Sequence, residues 1–215
     1  MRAGRRAVIY SPAMRDEADV QPGAVFLDRD GTIAHEVGYV NHPDRFRVYA
    51  FAPLAVRLLN ESGFRVFVVT NQSGIARGYF TQDLLDEVHR RLHESIARGG
   101  GRLSAIYACP HLPNAGESCD CRKPLPGMLH HAARDHAVDL SRSWVVGDMI
   151  TDVEMAHAAG ARGILLRTGY GHGQITYQRS RWRVEPDVIC DNLLDAARRI
   201  IAEAREMRGL GSRGS

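Results

Sequence analysis

The sequence predicts an α/β protein built on a doubly wound parallel sheet, and three observations carry that expectation. Short apolar runs such as A-V-F-L at residues 24–27 have no polar break, as in strands covered on both faces. Segments of helical periodicity, roughly ten to eighteen residues long, separate these runs, an alternation that gives right-handed crossovers between parallel strands. Several runs end in polar or acidic residues, Asp28 and Asp30 first, and open α/β sheets bind ligands beyond the carboxyl ends of their strands.

Each element follows in order. The first strand, 24–27, closes in Asp28-Arg29-Asp30-Gly31. Residues 34–50 are mixed and polar, with Gly38, Asn41, Pro43 and Asp44, and read as a loop or small flap beyond the sheet edge. Leu54, Leu58 and Leu59 after Pro53, with Gly63 as the stop, predict a helix over 53–62. Residues 64–69 read as a second strand ending in the polar tip Thr70-Asn71-Gln72-Ser73-Gly74. Thr81 is placed as the N-cap of a helix carrying Leu84, Leu85, Val88, Leu92 and Ile96 on one face, broken at Gly99-Gly100-Gly101. A third strand is expected over 103–108. Residues 109–122 are too rich in Pro, Gly, Cys and polar residues for regular structure. A helix over 126–136, a fourth strand over 143–146 ending in Gly147-Asp148, a helix over 152–159 capped by Gly160 and a fifth strand over 163–166 follow. Residues 186–189 fit a short edge strand and 191–207 a closing helix. No repeat or linker interrupts this, so residues 24–207 are expected to form one domain. Residues 1–23 are expected as a mobile extension and 208–215 as a Gly/Ser tail.

With 215 residues the chain can bury a core without disulfides. No apolar run approaches the roughly eighteen residues of a membrane span, and the start lacks a secretory apolar stretch, so a cytoplasmic location is expected. The net charge is +3, from 28 basic and 25 acidic residues without a like-charge block, which does not argue for a nucleic-acid partner. No heptad or broad apolar stripe is visible, and a monomer is expected. Every basic residue is Arg except Lys123. Either an ammonium is required at a compact phosphate site, where a planar fork fits poorly, or the lone lysine is an accident of an Arg-biased chain.

Two carboxylates one residue apart cannot both sit unpaired: a metal neutralises them, or one stays protonated. The plain alternative is an Asp-Gly turn. Four strand ends or following loops carry groups suited to phosphate transfer: Asp28 and Asp30, Thr70 to Ser73, Arg122 and Lys123, and Asp148 and Asp152. A phosphoryl transition state spreads charge over three oxygens, which positioned cations stabilise. Oxygen-only ligands favour Mg2+. Asp152 either orients Lys123 or is an ordinary first-turn helix residue. Cys109-x-His111 and Cys119-x-Cys121 form two close ligand pairs, enough for a closed, structural Zn2+ site that fixes Arg122 and Lys123 over the pocket; a disulfide or free thiols are the alternative. Cys190 is expected as a buried core thiol. His35, His42, His89, His93, His130 and His131 read as solvated surface residues, and Tyr79 and Phe80 as packing residues.

The stretch D-R-D-G-T-I resembles the first motif of the haloacid dehalogenase superfamily of phosphohydrolases, and the four groups match its four motifs in order. The resemblance implies that Asp28 is the nucleophile and Asp30 the acid and base, that Thr70 and the Asn71 backbone grip phosphoryl oxygens, that Lys123 neutralises the same group, and that Mg2+ is held by Asp28, the Asp30 carbonyl and Asp148. C-P-H and C-x-C-R-K-P, together with V-V-T-N-Q-S-G-I-A-R-G-Y-F and an early G-Y-V, are similar to the D-glycero-D-manno-heptose 1,7-bisphosphate phosphatase family, whose zinc loop histidinol-phosphate phosphatases share. This likeness covers about residues 25–171. It implies a phosphorylated sugar substrate, removal of its 7-phosphate through an aspartyl-phosphate on the way to nucleotide-activated heptose for lipopolysaccharide or related glycans, and no large cap domain. It also implies a substrate site of Glu36, Val37, Gly38, Tyr39, Thr70, Asn71, Gln72, Ser73, Arg122 and Lys123, with Arg122 on the phosphate that is not cleaved. Met149 departs from the polar or charged residue that relatives often carry, so no substrate contact is assigned to it. The alternatives are histidinol phosphate as substrate, a nucleic-acid 3′-phosphate, and a zinc-stabilised binding module without catalysis.

Overall fold

The computed structural model describes residues 23–113 and 119–211. Six strands, β1 (Ala24–Leu27), β2 (Arg65–Asn71), β3 (Ala105–Cys109), β4 (Trp144–Gly147), β5 (Arg162–Leu166) and β6 (Val188–Cys190), pair in parallel in the order β3-β2-β1-β4-β5-β6. Leu27 stands opposite Val68 of β2 and Val146 of β4. The winding reverses between β1 and β4, so a crevice opens at their carboxyl ends.

Alternation along the strands sorts the core into two layers. Val25, Leu27, Val66, Val68, Val146 and Ile164 belong to the cluster that takes in buried residues of α1 (Ala52–Glu61), α2 (Gln82–Arg98) and α6 (Leu193–Gly211). Phe26, Phe67, Val69, Tyr107 and Val145 cluster instead with α3 (Gly127–His136) and α4 (Ile150–Ala158). Phe26 and Phe67 stack at 5.2 Å. Truncating such a ring to alanine costs about 3–5 kcal/mol. Thr81 caps α2 as its sequence position predicts, its Oγ1 accepting from Leu84 N at 3.2 Å.

Several boundaries differ from expectation. β2 runs on through Thr70 and Asn71, which pair with Ala108 and Cys109, because a parallel ladder is held by backbone groups and tolerates polar side chains at its end. Cys109 thereby joins β3 rather than the loop. The flap is built, not plain loop: Ala34 bridges to Asp30 and Val48, Tyr49 N donates to Ile33 O at 2.9 Å, and Arg45 donates to Val37 O at 2.8 Å, around a 3-10 turn at Pro43–Arg45. Residues 171–181, unassigned in the sequence, form one turn, α5 (Gly171–Gly173), then a π-turn at Gln174–Gln178 and a 3-10 turn at Arg179–Arg181. Helix α6 continues through Gly211, into the expected tail. Cys190 is only half-buried on the edge strand, a correction to the core thiol expected there. Residues 1–22, most of the expected extension, lie outside the described residues, as do 114–118 and 212–215. Among the described residues no helix is long and apolar enough to cross a membrane.

Candidate active site

The crevice at the β1/β4 edge is a cavity of about 450 Å³ lined by residues from six separate stretches. Strand β1 delivers Asp28 and β4 delivers Asp148, one from each side of the reversal. Lys123 enters beside them, its Nζ 2.8 Å from Asp28 Oδ1 and 2.6 Å from Asp152 Oδ1. Asp152 sits in the first turn of α4 and also accepts from Met149 N at 3.1 Å, so it does both things its position allowed: it starts the helix and anchors the lysine. Carboxylate oxygens of Asp28, Asp148 and Asp152 lie within 4.8 Å of one another. Asp148 is held by Tyr170 N at 2.7 Å, and Gly31, at φ +81°, leaves it room: a Cβ there would meet Asp148 Oδ2 at 2.1 Å.

Burial and charge decide the protonation of this cluster. Desolvation pushes Asp28 up to about 7, against the pull of Lys123. Desolvation, reinforced by Asp28 and Asp152, pushes Asp148 up to about 8. Burial works against the charge on Lys123, but Asp152 and Asp28 outweigh it and hold its pKa above the ordinary value. Fully ionised, the three carboxylates would exceed the one ammonium by two negative charges, the amount a divalent cation would neutralise. The residues present therefore fit a hard, oxygen-bound cation.

Asp30 lines the cavity, but its carboxylate stands outside that cluster. It is paired with Arg29 at 2.7 Å and accepts from Gln72 Nε2 at 3.1 Å. Gln72 also donates to Thr70 Oγ1 at 2.9 Å, and Asn71 Oδ1 receives Lys123 N at 3.2 Å, so β2 ties the acids to the lysine loop. Glu36, Gly38, Tyr39, Thr70, Asn71, Gln72, Arg122 and Lys123 all line the cavity. Val37 and Ser73 do not. Val37, part of the flap, packs against the core, and Ser73 is buried. Tyr79, expected to pack, is half-exposed and meets Tyr39 edge-on at 4.8 Å, while Phe80 is buried.

Met149, Thr151 and Tyr170 also line the cavity. Tyr170 could have been found, since Thr168-Gly169-Tyr170 follows the fifth apolar run at the same kind of strand end as the acids. His89, read as a surface residue, is buried and lies 3.4 Å from Arg29 Nη1. Its spacing from Leu85, Val88, Leu92 and Ile96 puts it on the apolar stripe of α2, which was the available signal.

Beyond β3, the ligand atoms of Cys109, His111, Cys119 and Cys121 lie within 4.8 Å of one another. His111 Nδ1 is 3.5 Å from Cys109 Sγ and 3.3 Å from Cys121 Sγ. A tetrahedron with ligand bonds of about 2.0–2.3 Å has edges of about this length, so the four atoms fit one such ion. A hydrogen bond with Cys121 pulls Cys109 down to about 5 and pushes Cys121 up, so Cys109 is the thiolate of that pair. Arg122 Nη1 donates to His111 O at 2.9 Å, which couples this cluster to the cavity wall.

A family model described as HAD-hydrolase-like matches residues 120–196. With the relatives that follow, a parallel sheet that reverses beside its acids and a lysine clamped between carboxylates make this a phosphoric monoester hydrolase of the haloacid dehalogenase superfamily. The D-glycero-D-manno-heptose-1,7-bisphosphate 7-phosphatase of Thermosynechococcus vestitus is 42% identical over 184 residues, which is 80% of this chain and 92% of that protein. The corresponding Pseudomonas aeruginosa enzyme is 43% identical over 148 residues, 68% of this chain and 82% of its own. The crystal structure of the Bordetella bronchiseptica D,D-heptose 1,7-bisphosphate phosphatase, complexed with magnesium and phosphate, matches with a TM-score of 0.77 at 34% identity over 84% of this chain and 99% of that one. The chain belongs to the heptose-1,7-bisphosphate 7-phosphatase family.

Proposed function

We propose that this chain removes the phosphate at carbon 7 of D-glycero-D-manno-heptose 1,7-bisphosphate, acting as a cytoplasmic monomer with Mg2+ in the acid cluster and a structural Zn2+ on Cys109, His111, Cys119 and Cys121. The observation that carries the reading is Lys123, clamped between Asp28 and Asp152 beside Asp148 at the mouth of β1 and β4. The names of the relatives, one of them solved with magnesium and phosphate, support the substrate and the cation.

In this reading a carboxylate oxygen of Asp28 attacks phosphorus and the bond from phosphorus to the sugar oxygen breaks. The electron pair stays on that oxygen, which takes a proton from Asp30. Water then attacks the phosphorus of phosphoryl-Asp28 and gives its proton to Asp30, the bond from phosphorus to Asp28 breaks, and inorganic phosphate leaves with the Asp28 carboxylate regenerated. Splitting the reaction suits a carboxylate nucleophile, because an acyl phosphate is labile. Lys123, the Thr70 hydroxyl and the Asn71 backbone hold the equatorial oxygens, where charge is spread. Mg2+ held by Asp28, Asp148 and the Asp30 carbonyl supplies positive charge to the same oxygens. Glu36, Gly38, Tyr39, Gln72 and Arg122 hold the sugar and its remaining phosphate, since no second domain covers the crevice among the described residues. Kinetics with heptose bisphosphate and histidinol phosphate side by side test the substrate. A higher kcat/KM is expected for the heptose, and the reverse order overturns it. Asp28→Asn abolishes turnover of both if the mechanism holds.

A further inference from the structure

Arg29 stands between the two acids of D-R-D and is 1% exposed. A guanidinium so buried is costly unless it is paired. Its pairing is directional: Nε lies 3.1 Å from both Asp30 oxygens, and Nη2 lies 2.7 Å from Oδ2. A fork on a carboxylate fixes orientation as well as charge. The far side of the fork is braced from the opposite direction. Nη1 is 3.4 Å from His89 Nε2, and the Phe46 ring centroid is 5.7 Å from the guanidinium carbon. Burial, with help from Arg29, pushes His89 down to about 3, so its ring is neutral, and with the proton on Nδ1 its Nε2 accepts from Arg29. Asp30 Oδ2 thus carries the short Arg29 bond and the Gln72 bond, whereas among the described residues Oδ1 takes only the longer Nε contact. Oδ1 is the oxygen with room for a transferable proton.

We propose that Arg29, braced by His89, is a positioning residue that aims Asp30 Oδ1 at the oxygen leaving phosphorus. This rests on the reading of Asp30 as proton donor. A sugar alkoxide must take that proton as its bond to phosphorus breaks, whereas p-nitrophenolate leaves without one. Loss of aim therefore shows in the first turnover of a sugar phosphate and not in that of p-nitrophenyl phosphate.

The test compares the rate of Asp28 phosphorylation, by rapid quench with heptose bisphosphate and by the first-turnover release of p-nitrophenolate, in Arg29→Met, Arg29→Lys and Asp30→Asn. General-acid catalysis contributes about 100-fold or more. Asp30→Asn is expected to lose about that factor on the sugar phosphate, and both Arg29 variants about tenfold or more, with the aryl phosphate losing less than about threefold in each. Lysine at position 29 keeps the buried charge, and so the fold, without the fork; if Arg29→Met does not fold, Arg29→Lys alone decides. Equal losses on the two substrates, or no loss on either, in the Arg29 variants overturn the inference while a selective Asp30→Asn leaves the underlying mechanism standing. An unselective Asp30→Asn overturns the donor role itself.

Discussion

Lys123 Nζ lies 2.6 Å from Asp152 Oδ1, with both side chains almost sealed from solvent, and the same ammonium reaches Asp28 at 2.8 Å. Removing one partner from a buried ionic set costs far more than the set contributes over an apolar substitute, because the charges left behind have neither water nor counterion. Lys123→Met should therefore lose about 3–5 kcal/mol in urea unfolding as well as its turnover. Lys123→Arg should keep most of the stability and still lose turnover, since a planar fork cannot replace a point charge in the same space. Full turnover in Lys123→Arg would show that the ammonium is not required.

Gly31 and Gly38 separate backbone strain from site geometry. Both have positive φ, but a Cβ at Gly31 meets Asp148 Oδ2 at 2.1 Å, whereas one at Gly38 meets nothing within 4 Å. Gly31→Ala and Gly38→Ala should each lose about 1–3 kcal/mol of stability. Only Gly31→Ala should also weaken magnesium binding, measured by calorimetry, because Asp148 has to move. Equal magnesium affinity in the two variants would place the cation elsewhere.

The four ligand atoms beyond β3 lead to a metal-content prediction. The purified protein should carry one zinc per chain by elemental analysis, and stripping it with a chelator should lower Tm. Cys119→Ser should reduce the zinc content and Cys190→Ser should leave it unchanged, since Cys190 lies on β6 outside the cluster.

His89 predicts a pH dependence of stability. Its folded pKa, about 3, lies below the unfolded value of 6.5, so the unfolded chain takes up a proton that the native state excludes. Its contribution is complete above pH 6.5 and is lost as the pH falls toward 3. At pH 5 the loss is about 2 kcal/mol relative to neutral pH. His89→Gln keeps an acceptor for Arg29 but does not titrate, so its unfolding free energy should fall less between pH 7.5 and 5, by about that amount. Parallel pH profiles for the two proteins would show that His89 is not held neutral.

Much of this molecule was legible in one dimension. Unbroken apolar runs mark β1 and β4 because a strand buried on both faces has no use for polar residues, and the acids at Asp28 and Asp148 stand out because they end such runs. The pairs Cys109/His111 and Cys119/Cys121 are readable because ligand spacing on a loop is a local property. Periodicity and spacing report on neighbours in the chain, and they are silent on which distant side chains meet. That Arg29 turns its fork onto Asp30 and rests on His89, that the Tyr170 backbone N holds Asp148, and that Val37 and Ser73 do not line the cavity were decided only by packing. A buried polar group takes its support from whatever the fold brings close: His89 comes from 60 positions away to rest 3.4 Å from Arg29, and Tyr170 from 22 positions away to hold Asp148 at 2.7 Å.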